Sequence, residues 1–495
     1  MAPMLSKSKY ASGLQCHKRL WLQKKRPELA PPVDAATQAR FDQGHAVGAL
    51  AQCLFPGGRE MAFPEDRRFG PMLQATQQAL AEGLPAIYEA AIAAEGVLVL
   101  CDILQKRGQT FACYEVKSSV EVKSYHLDDA AIQYYVLQQA GLPLEAMYVL
   151  TLNRDYYREV GELDLEQLFV AHDVTGEVLA RQSEIPGELA AMQAMLEEAE
   201  PAVAIGPHCC EPFACEFQSY CWPELPDPSV FDIPRFRGGW ELLAQGRTAL
   251  DQLGNTPLSP KQALFVEEQL SGREHLDRRA LGDWLNGLRY PLYFLDFETV
   301  NPVLPLWSGT RPYQPHLAVQ YSVHRVDGPG AEAGHREYLA DFSGDFRADL
   351  VAHLLADLGE SGTILAYNQS FEVACLRNLA QWESAAAPAI EALLGRVQDL
   401  ILPFRQGWYR KPEMRGSASI KAVYPALFPA APGYAAQVIK DGGEAQLYLN
   451  ALAQGRFRGS PAERRQLESD LRAYCRLDTQ AMVDIWRHLS ALAFA

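Results

Sequence analysis

The sequence predicts an α/β protein with two α/β domains joined by a helical connector. Three observations carry this prediction. Residues 97–153 alternate short apolar runs with a helix-like stretch, and a second apolar strand near residue 291 opens a new series of strands and helices. The length of 495 residues corresponds to two or three domains of about 100–200 residues each. We therefore expect more than one hydrophobic core.

The first α/β region is a succession of strand, strand, helix and strand. The predicted strands are VLVLCDIL (97–104), TFACYEVK (110–117) and AMYVLTLN (146–153). A helical stretch, DDAAIQYYVLQQAG, precedes the third strand and ends at Gly141. We assign residues 1–225 to this domain.

A proline-rich break at 222–234 closes that region and opens a helix-rich middle. The segments LSPKQALFVEEQLSG and RRALGDWLNGL predict helices, so residues 226–285 form the connector. The apolar strand PLYFLDFETV then begins a second α/β domain, 286–495, which ends in a long helix over 462–492.

The composition is that of a globular protein, with 48% hydrophobic and 21% charged residues, which excludes the collagen-like and disordered classes. The N-terminal segment has no apolar signal region and no run reaches about 18 apolar residues, so we expect a cytoplasmic protein. A net charge of −16 argues against nonspecific coating of polyanions. Residues 1–27 are nevertheless basic and contain no acidic residue, so they either contact a phosphate backbone or form a solvated face.

A first group of charged residues lies on the two predicted strands of residues 97–117. Glu115 and Lys117 are two apart on a strand and share one face, and a hairpin through 106–108 would lay Asp102 beside Glu115. Two such carboxylates repel by roughly 4 kcal/mol at an effective dielectric of 20, which a divalent cation reverses. The pattern predicts a Mg²⁺ or Mn²⁺ site, in which Lys117 positions or deprotonates a water or neutralises charge on phosphorus. A surface ion pair is the alternative.

This spacing resembles the PD-(D/E)xK (restriction-endonuclease-like) nuclease fold, and specifically its RecB-like branch. In that branch an acid and an acid-x-Lys motif are followed by a helix carrying Gln, and Gln133 fits that helix. The resemblance implies catalytic roles for four residues: Asp102, Glu115, Lys117 and Gln133. The family usually places a Tyr four residues after this Gln, whereas here that position is Leu137, with Tyr134 and Tyr135 next to Gln133.

The same resemblance points to two further metal-ligand positions upstream. His45 and Glu89 stand where the RecB-like branch often has an additional ligand. For His45, capping of a helix is the alternative.

The cysteines predict a metal or cluster site, because a cytoplasmic chain keeps its thiols reduced. Three of them, Cys209, Cys215 and Cys221, are evenly spaced with Cys210 as a spare, and Cys16 lies far upstream. Such gaps favour an iron-sulfur cluster over paired zinc knuckles, and zinc remains the alternative. The remaining cysteines lie in apolar contexts and are expected to pack in cores: Cys53, Cys101, Cys113, Cys375 and Cys475.

This layout resembles RecB-like members that carry one cysteine before the nuclease core and three after it. In those members four thiolates bind a 4Fe-4S cluster that fastens the two ends of the domain. The resemblance implies the same ligands here: Cys16, Cys209, Cys215 and Cys221.

A second acidic group follows residue 290. Asp296 and Glu298 are two apart on a strand, among apolar neighbours, where burial of both acids is costly without a cation. Glu372 begins a helix after the Asn368 turn, and Tyr474 and Asp478 are four apart on the last helix. A strand-end salt bridge is the alternative for the DFE triplet taken alone.

The order of these motifs closely resembles the DnaQ-like (DEDD) 3'-5' exonucleases, an RNase H-like fold in which four acids hold two metals about 4 Å apart. The resemblance implies that Asp296, Glu298, Glu372 and Asp478 are ligands and that Tyr474 orients the attacking water. The family usually has Asp where this chain has Glu372, and we expect the extra methylene to lower activity or alter metal choice. Relatives continue the fold around Asp399 and residues 419–421, and Lys421 is a candidate phosphate contact.

Together the two resemblances imply a magnesium- or manganese-dependent nuclease that acts on single-stranded DNA or DNA ends. The order of the two halves also resembles a bacterial family of unassigned activity, which implies no substrate. Two alternatives remain: an RNA-trimming exonuclease, because 2'-OH recognition leaves no visible motif, and a nucleic-acid-binding scaffold with an inactive site.

Overall fold

The computed structural model describes residues 4–431, 433 and 437–495, and it is an α/β protein. The chain forms two compact units. Unit 1 comprises Met1–Pro223 with Val303–Pro312, and unit 2 comprises Glu224–Pro302 with Tyr313–Ala495. The predicted connector therefore lies inside unit 2, and ten residues of the predicted second domain belong to unit 1.

Unit 1 is built on a mixed sheet of seven described strands. The strands are β1 (Leu5–Ser6), β2 (Arg59–Glu60), β3 (Ala86–Ala94), β4 (Val97–Arg107), β5 (Thr110–Val116), β6 (Leu144–Leu152) and β7 (Phe169–Asp173). They follow the order β2-β3-β4-β5-β6-β7, and β1 pairs in parallel with the start of β4. The helices are α1 (Lys7–Gln15), α2 (His17–Lys25), α3 (Ala35–Gln52), α4 (Gly70–Glu82), α5 (Ser124–Gln139), α6 (Leu165–Leu168), α7 (Thr175–Arg181), α8 (Ile185–Glu197) and α9 (Gln218–Cys221).

The strand, strand, helix, strand prediction for unit 1 is confirmed by β4, β5, α5 and β6. Helix α5 begins four residues before the predicted start, because the ring of His126 accepts a hydrogen bond from Lys123 N and caps the first turn. The core contains apolar side chains of β3, β4 and β6, which pack against α5 and α8. Strand β3 is absent from the sequence prediction. It pairs antiparallel with β4, on the side of β4 away from β5.

Unit 2 contains a five-stranded sheet with helices and a two-stranded ribbon. Its strands are β8 (His275–Leu276), β9 (Leu292–Val300), β10 (Leu317–Val326), β11 (Gly334–Leu339), β12 (Thr363–Ala366), β13 (Val397–Asp399) and β14 (Tyr409–Arg410). The helices are α10 (Gly239–Ala244), α11 (Pro260–Ser271), α12 (Arg278–Asn286), α13 (Arg347–Leu358), α14 (Ser370–Trp382), α15 (Ala387–Leu394), α16 (Leu402–Arg405), α17 (Ile420–Leu427), α18 (Gly442–Ala453) and α19 (Pro461–Phe494).

The main sheet of unit 2 has the order β11-β10-β9-β12-β13. The pairs β11·β10 and β10·β9 are antiparallel, whereas β12 runs parallel to both β9 and β13. The central strand β9 is buried over nearly its whole length, which explains why apolar side chains surround its two acids, Asp296 and Glu298. The long helix α19 packs on β9 and β10 and begins with a capping box of Ser460 and Glu463, with Pro461 in its first turn.

The predicted connector helices are confirmed as α11 and α12. This segment has a small core of its own: Val230, Ile233, Leu242, Leu250, Leu253 and Phe265. Among the described residues, no helix is both long and apolar enough to cross a membrane.

Candidate metal centres

The β4–β5 hairpin brings the first acidic pair together. The two strands are antiparallel with Ile103 opposite Tyr114, so Asp102 and Glu115 come next in register, on one face of the sheet. An Oδ2 atom of Asp102 accepts a hydrogen bond of 2.6 Å from Val116 N. The predicted proximity of the two acids is therefore confirmed.

Glu115 is almost fully buried and is surrounded by donors. Its Oε1 atom lies 2.8 Å from Lys117 Nζ and 2.6 Å from Lys7 Nζ, and its Oε2 accepts a 2.5 Å hydrogen bond from Gln133 Nε2. Lys117 also contacts Asp129 at 2.5 Å. Three of the four predicted catalytic residues thus meet at one carboxylate, and Asp102 stands beside them.

The two acids have opposite electrostatic environments. Burial and the neighbouring charge of Glu115 raise the pKa of Asp102 to about 8. Burial would also raise the pKa of Glu115, but the charges of Lys117 and Lys7 hold it well below its usual range. Glu115 is therefore ionised, whereas the charges of Lys7 and Lys117 only partly offset the burial of Asp102, and a divalent cation would supply further positive charge.

Lys7 belongs to this site, although the sequence analysis did not single it out from the basic stretch around it. It begins α1 directly after β1, where Leu5 and Ser6 pair with Val97 and Leu98 of β4. Its signal in the sequence is the basic stretch 1–27, which by itself indicates only a phosphate contact or a solvated face. Other members of this stretch are also paired, since Lys18 contacts Glu200 at 2.8 Å.

The two upstream ligand candidates differ in position. Glu89 has φ of +55° and lies across from Asp102 in the register of β3 with β4, although these two residues are not themselves paired. Burial raises its pKa, and the charges of Lys7 and Glu115 act on it, so it belongs to the same pocket. His45 is exposed on α3, and no hydrogen bond or ion pair of the described residues joins it to the acids.

Gln133 is fully buried, and its Oε1 atom has no hydrogen-bond partner among the described residues. An open acceptor therefore stands beside Glu115. Leu137, where relatives carry Tyr, is packed in the core. The hydroxyl of Tyr134 accepts a hydrogen bond from Gln138 rather than meeting the acids.

The four predicted cluster ligands line one pocket. Cys16, Cys209, Cys215 and Cys221 all face it, whereas Cys210 is exposed and outside its lining. Burial raises the pKa of Cys215 to about 11, and burial likewise raises that of Cys221. Four thiols in one pocket, with Lys18 and Arg19 beside them to favour the thiolates of Cys221 and Cys215, suit a cluster or a metal ion.

Polar contacts fasten this cysteine pocket to the start of the chain. Cys16 lies between α1 and α2, and Gln15 Nε2 donates to His208 O at 2.7 Å. Arg19 contacts Glu216 at 2.8 Å. Residues 15–23 and 208–221 are therefore held together by protein contacts as well as by any bound group.

In unit 2 the second acidic group comes from three elements. Asp296 and Glu298 lie on β9, Glu372 on the first turn of α14, and Tyr474 and Asp478 on α19. Asp296, Glu298, Tyr474 and Asp478 line one open cleft of about 590 Å³, and Glu372 is buried outside its lining. This volume lies within the roughly 300–1,000 Å³ of ligand-binding pockets.

The acids of this cleft are short of positive charge. Burial, and then the charges of Asp478 and Glu298, raise the pKa of Asp296 well above its ordinary value. Burial and Asp478 raise that of Glu298 in the same way, and burial raises the pKa of Glu372 to about 8. Carboxylates that repel one another in a buried cleft are a fitting donor set for divalent cations.

The other predicted residues of this region are close by. Lys421 lines the cleft, and its charge lowers the pKa of Glu298. Asn368 has φ of +71° and donates its N–H to Asp399 Oδ1 at 2.9 Å, so this pair shapes the turn that leads into α14. Burial and the charge of Asp478 raise the pKa of Tyr474, which keeps its hydroxyl protonated.

Two cysteine predictions need correction. Cys53 is exposed, not packed in a core, because it follows the end of α3 with its thiol against Ala49 O. Cys475 is buried as predicted, but its Sγ lies 3.6 Å from Asp296 Oδ2, inside the acidic cluster. The spacing could have shown this, since Cys475 and Asp478 are three apart on one helix face. Cys101, Cys113 and Cys375 are buried as predicted.

Comparison with known proteins adds one match. A family model described as a domain of unknown function (DUF2779) matches residues 293–419, about a quarter of the chain. The matched segment begins in β9 and includes Asp296, Glu298 and Glu372, whereas Tyr474 and Asp478 lie beyond it. No curated protein matches the chain. The fold and the two clusters thus define an α/β protein with two buried carboxylate sites.

Proposed function

We propose that this chain is a divalent-metal-dependent nuclease with two hydrolytic sites, acting on single-stranded DNA or DNA ends. Unit 1 would be a RecB-like PD-(D/E)xK nuclease, and unit 2 a DnaQ-like 3'-5' exonuclease. The observation that carries the proposal is that three acids from β9 and α19 line one open cleft, with a fourth acid, Glu372 of α14, buried near enough for its charge to act on them. The β11-β10-β9-β12-β13 sheet with Asp296 on its central strand supports an RNase H-like fold.

In unit 2, Asp296, Glu298, Glu372 and Asp478 would hold Mg²⁺ or Mn²⁺. Such ions supply a nucleophilic water at neutral pH and stabilise charge on the scissile phosphate. The protonated hydroxyl of Tyr474 is a donor that can orient the attacking water. Lys421, on the cleft wall, is placed to bind a phosphate oxygen of the substrate.

In unit 1, Asp102 and Glu115 would hold the metal ion, with Glu89 as a further oxygen donor. Lys117 is held between Glu115 and Asp129, so its ammonium is fixed in place to stabilise charge that develops on phosphorus. Gln133 orients Glu115 through its amide. Its unpartnered Oε1 is available to accept a hydrogen bond from a bound water.

The cysteine pocket would hold a 4Fe-4S cluster through Cys16, Cys209, Cys215 and Cys221. A bound cluster adds ligation energy to the protein contacts that join the two ends of unit 1. It supports the core and takes no part in hydrolysis.

The test is an end-labelled single-stranded DNA assay with Mg²⁺ and Mn²⁺, comparing the wild type with Asp296→Ala and Lys117→Ala. Asp296→Ala should abolish 3'-end trimming and retain any cleavage that depends on Lys117. Matched RNA and duplex substrates in the same assay identify the preferred polymer. Unchanged trimming in Asp296→Ala would refute the unit 2 assignment, and the absence of metal-dependent cleavage would favour a binding scaffold.

A further inference from the structure

A sulfur atom lies among the acidic oxygens of the unit 2 cleft. Cys475 is fully buried, one residue after Tyr474 on α19. One carboxylate oxygen each of Asp296 and Glu298 and the Sγ of Cys475 all lie within 4.8 Å of one another. A magnesium site built from oxygen donors has no need of this thiol, because hard cations prefer oxygen.

The distances suit a small thiophilic cation. Zn–S bonds are about 2.3 Å and Zn–O bonds about 2.0–2.2 Å, so a tetrahedral ion separates its sulfur and oxygen ligands by roughly 3.5 Å. The Sγ of Cys475 lies 3.6 Å from Oδ2 of Asp296. This pair can therefore hold such an ion without a large movement of either side chain.

A second observation concerns the neighbouring acid on α14. Glu372 is 3% exposed, and its Oε2 atom has no hydrogen-bond partner among the described residues. It lies on the first turn of α14, directly after Phe371, which lines the cleft. An unpartnered buried oxygen is costly unless something binds it.

We propose that Cys475, Asp296 and Glu298 form a three-ligand site for Zn²⁺ or another thiophilic divalent cation, with the fourth coordination position left open for water. Binding releases the thiol proton of Cys475 to solvent and forms one metal–sulfur bond. Because this site shares its oxygens with the magnesium site of the proposed nuclease, Zn²⁺ and Mg²⁺ exclude one another there. The binding claim stands on the donor atoms alone, and the inhibition claim rests on the proposed function.

Cadmium binding to the full-length chain tests the sulfur ligand directly. Cd²⁺ is titrated into the wild type, Cys475→Ser and Cys375→Ser, and the ultraviolet thiolate-to-cadmium band is measured at saturation. Cys375 is a matched control, because it is equally buried beside the acids but outside the donor group. The band from the cysteine pocket of unit 1 is common to all three proteins. We expect the saturated band of Cys475→Ser to be weaker than that of the wild type by the absorbance of about one cadmium–sulfur bond. The band of Cys375→Ser should be as strong as that of the wild type.

Equal saturated bands in the wild type and Cys475→Ser would overturn the proposal, as would an equal loss in Cys375→Ser. If Cys475→Ser does not fold, Cys475→Ala replaces it. A zinc-soaked crystal of the wild type provides a measurement that needs no variant. A zinc anomalous peak within bonding distance of Cys475 Sγ supports the site, and a zinc peak elsewhere in the cleft rejects it.

Competition with magnesium tests the shared oxygens. In Mg²⁺-supported 3'-end trimming, we expect Zn²⁺ to inhibit the wild type and Cys375→Ser at concentrations at least tenfold lower than Cys475→Ser. Extra Mg²⁺ should restore activity. Equal zinc sensitivity of all three proteins would reject the shared site. Absence of trimming with any metal, together with loss of the cadmium band in Cys475→Ser, would reject the proposed nuclease and retain the zinc site.

Discussion

The ammonium nitrogen of Lys7 lies 2.6 Å from Oε1 of Glu115, although 108 residues separate them in the chain. The parallel pairing of β1 with β4 places Lys7 at the pocket, where Lys117 contacts the same oxygen. Despite burial, the charges of Glu115 and Asp102 raise the pKa of Lys7. The pocket therefore holds two fixed positive charges that pair with Glu115 and only partly offset the burial of Asp102.

We predict that Lys7→Met lowers cleavage by the first site by roughly 10²-fold, the cost of removing one fixed group that stabilises developing charge. The measurement is cleavage of labelled DNA in an Asp296→Ala background, so that only unit 1 contributes. Lys9→Met is the control, because Lys9 Nζ binds Gln23 instead of an acid of the pocket. Equal rates in the two variants would show that Lys7 serves only to pair with Glu115.

A second prediction concerns the repulsion in unit 2. Asp296→Asn removes one of several uncompensated charges, so the metal-free protein should gain thermal stability, by roughly 2–4 °C for each kcal/mol. The same variant should lose the stabilisation that Mg²⁺ gives the wild type, which is about 2.7 kcal/mol at a hundred times Kd. Melting curves in chelator and in Mg²⁺ measure both effects.

The matched control for this experiment is Asp484→Asn. Asp484 lies on α19, but its carboxylate accepts hydrogen bonds from Tyr424 and Gln480 outside the cluster. We expect this control to keep the magnesium response and to gain no stability. A magnesium response of normal size in Asp296→Asn would contradict a metal site at that carboxylate.

The sites could be predicted from sequence where local geometry decides the neighbours. Asp102 and Glu115 meet because a short hairpin joins their strands, and the two-residue period of a strand fixes which side chains share a face. Lys7 could not be predicted, because β1 has two residues and therefore no periodicity, and its partner strand begins at Val97. Long-range pairing of so short a strand depends on the whole core of unit 1.

The ligands of unit 2 come from β9, α14 and α19, and their order was interpreted through a family resemblance, not through spacing alone. Cys475 shows the limit of interpretation from apolar context. Apolar and polar residues alternate around Cys475 in the sequence, so nothing there indicates an acidic site. In the structure, however, its thiol contacts an acid contributed by β9. Likewise, the position of Glu89 across from Asp102 depends on the register of β3 against β4, which the sequence of β3 does not reveal.

A third prediction concerns pH and His324. Burial lowers the pKa of His324 from 6.5 to about 3, and its Nδ1 is hydrogen-bonded to Thr479 Oγ1 at 2.8 Å. Between these two pKa values the unfolded chain binds a proton that the folded chain does not. The stability contributed by neutral His324 is therefore complete above pH 6.5 and is lost as the pH falls toward 3. At pH 5 the loss is on the order of 2 kcal/mol.

The measurement is the change in melting temperature between pH 7.5 and pH 5 for the wild type and His324→Gln. The buried acids Asp296, Glu298 and Glu372 have raised pKa values and contribute with the opposite sign, so the difference between the two proteins isolates the histidine. We expect His324→Gln to lose less stability on acidification than the wild type. His353→Gln, at an exposed site on α13, should behave like the wild type. Identical pH responses of all three proteins would contradict the prediction.

The last prediction concerns the cysteine pocket. Anaerobically purified wild type should be brown, with about four iron and four sulfide per chain for a 4Fe-4S cluster. Cys215→Ser should lose the colour, because Cys215 lines the pocket, whereas Cys210→Ser should keep it, because Cys210 lies outside. Since the ligands join residue 16 to residues 209–221, loss of the cluster should also speed proteolysis of the segment after α8. If the wild type is colourless and contains one zinc per chain, the cluster is rejected and the pocket is a structural zinc site.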